Sequence, residues 1–228
     1  MANQDLIAGI RSRLNAAADP VRAAGSQAYM KSDMPSLGVR VPEVRRITSG
    51  AAAQWPCGSF EELRGTVLDL WRSASFREER YAAIDLTGSR LARGRLEMLP
   101  VYEEIIRTGA WWDLVDGVPH RICALLQARR PEVERLLRIW SKDPDMWIRR
   151  AAITAQLGAK GTTDTALLAS VLEANLADRE FFIRKAIGWA LREYAKTDPE
   201  WVRQFAARHE NGLSPLSRRE ALRNLPVR

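Results

Sequence analysis

An internal repeat constrains this chain more than any other feature. The segment Trp147-Ile148-Arg149-Arg150-Ala151-Ala152-Ile153 is echoed by Phe182-Ile183-Arg184-Lys185-Ala186-Ile187, 35 residues further on. A third copy, Arg80-Tyr81-Ala82-Ala83-Ile84, lies twice that distance upstream, Arg80 standing 70 residues before Arg150. The stretch 111–122 fills the gap between them. A period near 35 with two helices per unit predicts an all-α chain, an α-solenoid of antiparallel helix pairs (HEAT-like repeats). No such unit buries its apolar face alone, so neighbours stack. The chain of 228 residues is read as a single domain over 1–228.

Local signals agree with the repeat. Apolar residues recur at helical spacing over 61–71, 80–91, 132–140, 166–176 and 183–194, in segments rich in Ala, Leu, Arg and Glu. No run alternates as a strand does. Turns are marked at Asp19-Pro20, Arg130-Pro131, Asp143-Pro144 and Asp198-Pro199, several placing Pro in the first turn of the next helix. Small residues inside the repeat helices (Ala151, Ala152, Ala155, Ala186, Gly188, Ala190) allow close helix contact.

Charge then narrows the class. The chain carries 35 Lys and Arg against 28 Asp and Glu, net +7, with a pI near 9.9. That excess draws a protein to polyanions, duplex nucleic acid before acidic membranes. Stacked repeats would align Arg149, Arg150, Arg184 and Lys185 along one concave, basic face suited to a sugar–phosphate backbone. The alternative for these four is a solvated helix surface. No apolar run reaches membrane-span length and no export signal opens the chain, which predicts a cytoplasmic, bacterial nucleoid-associated protein. Two separated cysteines, Cys57 and Cys123, and two histidines give no metal-ligand spacing, so no metal or other cofactor is expected. Phosphate-binding loops, nucleophile elbows and H-E-x-x-H are absent, leaving hydrolysis to carboxylates and electrostatics.

Four constellations carry candidate chemistry. In Trp111-Trp112-Asp113-Leu114-Val115-Asp116, Trp112 and Asp116 are one helical turn apart and share a face. A carboxylate beside an indole suits a reaction in which positive charge develops, such as cleavage of a glycosidic bond. Trp111 points away by about 100° and reads as core; Asp113 reads as an early-helix residue. Trp189, next to the helix-interior Gly188, is open to two readings, core aromatic or site residue, and Gly188 to close approach by another helix or by a ligand. Trp147-Ile148-Arg149-Arg150 offers an arginine near a helix start for phosphate. In 213–220, Ser217 is expected to cap a helix, with Glu220 completing a capping box, and the helix start with Arg218 and Arg219 offers a phosphate site.

Taken together these residues resemble the AlkD-type, HEAT-like repeat DNA glycosylases of alkylation repair. The resemblance runs through Tyr29-Met30-Lys31, Leu37-Gly38-Val39, Pro42-Glu43, Trp111-Trp112-Asp113 and Arg150-Ala151-Ala152-Ile153. It continues through Phe181-Phe182-Ile183, the long stretch 185–197 and Pro215-Leu216-Ser217. It implies a protein that grips duplex DNA and hydrolyses the N-glycosidic bond of cationic N3- and N7-alkylpurines, without base flipping. By this resemblance the catalytic carboxylate is Asp116, the sugar-packing indoles are Trp112 and Trp189, and the key phosphate-binding arginine is Arg150. The same resemblance makes Tyr29, Arg45, Arg192 and Lys196 further DNA contacts; Ser217 and Arg218 are expected to join them on the ground of the helix start described above. The resemblance decides Trp189 in favour of the site. Two departures stand out. Gly109-Ala110 replaces the polar or basic residues of close relatives, and Arg40-Val41-Pro42-Glu43 replaces Gln-Thr-Pro-Glu. The family includes members specialised for bulky natural-product adducts, and the Ala- and Arg-rich composition keeps that range open. The expected partner is damaged duplex DNA and the expected state a monomer. The rival class is a non-catalytic DNA-binding scaffold, or a protein-binding solenoid, with no reason to retain Trp112, Asp116, Arg150 and Trp189 together.

Overall fold

The computed structural model describes residues 1–225. Helix makes up 69% of the chain and no strand occurs among the described residues, so the all-α class holds. The chain divides into two compact units, Met1–Val101 and Tyr102 onward.

The first unit holds α1 (Gln4–Ala16), α2 (Pro20–Met30), α3 (Val41–Gln54), α4 (Phe60–Arg72) and α5 (Arg77–Leu86). Leu6, Ile10 and Leu14 line one face of α1 and are buried with Val44 of α3, Leu63, Val67 and Leu70 of α4, and Ala82 and Ala83 of α5. The small α5 residues let α3 and α4 both pack against it. Helix α2 differs from its neighbours: it buries none of its residues.

From the boundary onward come α6 (Leu99–Gly109), the single turn α7 (Trp112–Val115), α8 (Pro119–Ala128), α9 (Arg130–Trp140) and α10 (Met146–Thr154). After them come α11 (Thr165–Glu173), α12 (Phe181–Tyr194), α13 (Pro199–Arg208) and α14 (Pro215–Leu222). The repeat is explicit in the helix starts. Helices α7, α10, α12 and α14 begin at residues 112, 146, 181 and 215, steps of 34 or 35. The same period appears as hydrogen bonds between adjacent repeats: Gln127 donates to Thr162, Arg107 to Asp143, and Asn175 to the Ser141 carbonyl. Helix α10 packs on α12 and α12 on α14, around Ile153, Leu168, Leu172, Ile183, Ile187 and Leu191.

Local chemistry sets the boundaries. Asp19, Asp145, Asp164 and Asp198 each accept a backbone N–H in the first turn of the helix they precede. Pro20 and Pro199 take the first helical position, where no N–H is needed, and Pro131 the second. Pro144 instead lies in the turn before α10. At the last helix the expected cap is corrected. Ser214, not Ser217, caps α14, its hydroxyl accepting from the Ser217 N–H at 3.0 Å. Ser214 occupies the extended backbone position that an N-cap requires; Ser217 is already one turn inside. Gly188 marks close approach by another helix. A Cβ there would stand 2.5 Å from Glu220 Cβ and 3.0 Å from the Ser217 carbonyl on α14.

Candidate active site

The turn α7 carries Trp112 and Asp116. The Asp116 N–H donates to the Trp112 carbonyl at 2.9 Å, the helical bond that sets the two residues one turn apart. Asp116 closes the turn, and both side chains are half-buried. One repeat later, at the same helical position, stands Arg150 of α10. Its Nε donates to Asp116 Oδ1 at 2.8 Å and its Nη2 to Oδ2 at 2.7 Å, a bidentate pair. Arg150 Nη1 also donates to the carbonyl of Phe182, in the first turn of α12, at 2.6 Å. Arg150 therefore ties three consecutive repeats together at one point. The side chains of the pair are 6% and 16% exposed for Arg150 and Asp116.

Burial pushes the Asp116 carboxyl above its ordinary value, and nearby Asp113 pushes the same way; Arg150 opposes both without reversing the direction. The Arg150 guanidinium sets two donors against the Asp116 carboxyl, one on each oxygen. Each carboxylate oxygen keeps a lone pair not used by Arg150, enough to orient a water. Arg150 spends three of its five N–H groups, leaving one on each terminal nitrogen.

An aromatic cluster stands against this pair. Trp111, Trp147 and Phe182 have ring centroids 5.0–6.0 Å apart, and the Arg150 guanidinium lies 6.0 Å from the Phe182 ring. Trp147 and Phe182 are equivalent positions in successive repeats. Sequence reasoning missed Phe182 as the residue whose carbonyl seats Arg150; its place one repeat after Trp147 was the available signal. Trp111 packs in this cluster, and its buried indole N–H has no hydrogen-bond partner among the described residues.

The remaining expected residues distribute as follows. Trp189 lies seven residues beyond Phe182 on α12, two turns along the same face, and is half-buried. Arg192, one turn past it, pairs with Glu220 of α14, which Lys185 also meets at 3.2 Å. Lys196 pairs with Glu193 at 2.6 Å and Arg218 with Glu210 at 2.7 Å, both on the surface. In the first unit, Arg45 lies 3.6 Å from Asp85, and Tyr29 is 71% exposed. Ser217 is buried, its hydroxyl donating to the Arg184 carbonyl at 2.9 Å and its N–H committed to Ser214. It is thus a corrected assignment: its polar groups lock α14 to α12 and do not face a ligand. The aligned basic surface also needs correction. Arg149 donates to the Asp143 and Pro144 carbonyls and pairs with Asp178 at 2.8 Å, while Arg150 is buried on Asp116. These two arginines brace repeat to repeat because carboxylates and carbonyls of neighbouring units meet them. Among the described residues no cluster of His, Cys, Asp and Glu is arranged to hold a metal, and no helix is long and apolar enough to cross a membrane.

Comparison with known proteins bears on this arrangement. A search among curated proteins found no match. Among solved structures, a predicted DNA alkylation repair enzyme from Enterococcus faecalis is 31% identical, with 92% of this chain and 98% of that one covered and a TM-score of 0.82. An alkylpurine DNA glycosylase, AlkC, from Pseudomonas fluorescens, bound to DNA containing an abasic site analog, is 18% identical. It covers 97% of this chain and 61% of its own, with a TM-score of 0.42. The family model described as DNA alkylation repair enzyme matches residues 10–225, which include the Asp116–Arg150 pair, Trp112 and Trp189. With that span matched almost from end to end, the chain belongs to the DNA alkylation repair enzyme family.

Proposed function

We propose that this protein is a DNA glycosylase of the AlkD type, acting in base excision repair on cationic N3- and N7-alkylpurines in duplex DNA. One observation carries the reading: a half-buried carboxylate, one helical turn from an indole, gripped at both oxygens by a buried arginine of the next repeat. The alkylated purine is already a cationic leaving group. When its bond to the sugar C1′ breaks, the electron pair stays with the purine, which becomes neutral. The positive charge passes to the sugar. Asp116 faces that charge with its own and orients the water whose oxygen bonds to C1′; the water's proton leaves to Asp116 or to solvent. Trp112 and Trp189 turn electron-rich ring faces to the sugar. Arg45, Arg192, Lys196 and Arg218 contact the backbone from the surface, and Arg150, buried on Asp116, adds to them only through the two N–H groups not spent on Asp116 and Phe182. Because the leaving group departs without help, the base need not be extruded into a pocket, unlike in glycosylases that must flip it.

The test is to incubate the protein with methylated duplex DNA and, separately, with duplex DNA bearing a bulky N-alkylpurine adduct, and to measure the free base. Release of 3-methyladenine or 7-methylguanine supports the reading. Release from the bulky substrate extends the range. Release from neither, with DNA still bound, identifies a non-catalytic scaffold.

A further inference from the structure

Helix α2 raises a mechanical problem. It carries Tyr29 and has no fully buried residue, only half-buried ones such as Ala23 and Met30, so hydrophobic packing anchors it weakly. What holds it is the segment 32–39 that joins it to α3. The Leu37 carbonyl accepts from the Asp19 N–H at 2.8 Å and the Gly38 carbonyl from Arg22 Nη1 at 2.7 Å, both at the start of α2. Gly38 has φ +76°, and a Cβ there would stand 2.3 Å from the Asp19 carbonyl, so the segment lies directly against α2.

The other side of the segment is fixed by one side chain. Glu78 of α5 is 2% exposed. One carboxylate oxygen accepts from the Ser36 hydroxyl at 2.7 Å, the Gly38 N–H at 2.9 Å and the Val39 N–H at 3.2 Å. The other accepts from the Leu37 N–H at 2.9 Å. Three successive amides and a hydroxyl converging on one point form an anion-binding nest, and Glu78 fills it as an internal anion. The neighbouring Arg77 adds its N–H to the Pro35 carbonyl at 2.9 Å and its guanidinium to Ser32 Oγ at 2.9 Å.

We propose that Glu78 is a positioning residue for DNA recognition: by filling the 36–39 nest it docks α2 on the first unit and sets Tyr29 where DNA meets it. The inference rests on the reading of the protein as a DNA-binding glycosylase. Glu78 is far from the reacting carboxylate in role. It governs binding, not the bond-breaking step. Glu78→Gln preserves shape but turns an amide NH2 toward backbone N–H groups, leaving the nest half-filled.

The experiment compares wild type, Glu78→Gln and the milder Ser36→Ala by amide hydrogen exchange, by DNA affinity, and by base release in single turnover at saturating DNA. Exchange in Glu78→Gln is expected to rise by about tenfold or more in residues 20–39 alone, since local opening is independent of the core. DNA affinity is expected to fall roughly tenfold, equivalent to about 1.4 kcal/mol, with the saturated single-turnover rate unchanged. Ser36→Ala moves both in the same direction by less. In a Tyr29→Ala background, Glu78→Gln is expected to have no further effect on affinity, because both changes remove the same contact. A purely structural role would give full additivity in that background, or faster exchange throughout the first unit; either result overturns the proposal. If wild type itself binds no DNA, the functional reading fails along with the Tyr29 role. The exchange pattern would then report separately on whether Glu78 docks α2.

Discussion

Replacing Arg150 with Met tests how the site is held together. The substitution keeps the apolar stem but deletes three charge-assisted hydrogen bonds, two to Asp116 and one to the Phe182 carbonyl. Asp116 would then be a buried carboxylate without its cation. Removing one partner of a buried pair costs about 3–5 kcal/mol, and the residual exposure of Asp116 favours the lower end, near 3 kcal/mol. For a chain of this size that is a fall in Tm of about 6–12 °C. The pH dependence has a definite sign. With Arg150 gone, only burial and Asp113 act on the Asp116 carboxyl, and both raise it. A carboxyl raised in the folded state contributes stability below its unfolded value and loses it as pH climbs through the folded value. The deficit of Arg150→Met is therefore small in acid and grows toward neutrality. Urea unfolding of the variant at a series of pH values measures it. A second change, Asp116→Asn, removes the stranded charge and is expected to recover much of the loss. The reasoning is refuted if the deficit is independent of pH, or if the double variant is no more stable than Arg150→Met.

Three further outcomes follow from the same geometry. Base release needs Asp116 as an anion, and because its carboxyl is raised, the acid limb of the single-turnover pH profile is expected above the usual carboxylate range; a limb at the ordinary aspartate value would contradict the role. Gly188→Ala drives a Cβ to 2.5 Å from Glu220 and is expected to destabilise by about 1–3 kcal/mol, read as a lower urea midpoint; an unchanged midpoint would show that α12 and α14 separate freely. Lys196→Ala is expected to weaken binding to all duplex sequences alike and to reduce the slope of log affinity against log salt by about one, as measured by fluorescence anisotropy; an unchanged slope would remove Lys196 from the backbone contacts.

Much of the fold could be read from the 35-residue period, because the same small and apolar residues recur where helix packs on helix. The period placed Asp116 and Arg150 at equivalent positions of adjacent repeats. It did not reveal that they face each other, since an arginine one repeat away from a carboxylate reads equally well as a surface cation. Arg149 misled for the same reason: its carbonyl and Asp178 partners come from turns whose geometry no periodicity specifies. Ser214 and Ser217 were both chemically competent caps. Only the backbone angle chose between them, and Glu220, freed from a capping box, was claimed by Lys185 and Arg192. The Glu78 nest was invisible because its partners lie about 40 residues away in an irregular segment. Helical spacing made Trp112 and Asp116 legible; long-range polar contacts were not.

The central claim is that Asp116 acts as a charge held at an energetic cost. Asp116→Asn keeps the shape and one acceptor for Arg150 but removes the charge, and it leaves the buried Arg150 guanidinium without its anion, so release is read at temperatures where the variant is folded. The direct measurement is single-turnover release of 7-methylguanine from methylated duplex DNA by wild type and Asp116→Asn, with Tm and DNA affinity recorded on the same preparations. The account predicts release slowed by at least ~10²-fold in the folded variant, well below its Tm, with DNA affinity maintained. Release at the wild-type rate, or a loss of release explained by unfolding of the variant, would contradict it.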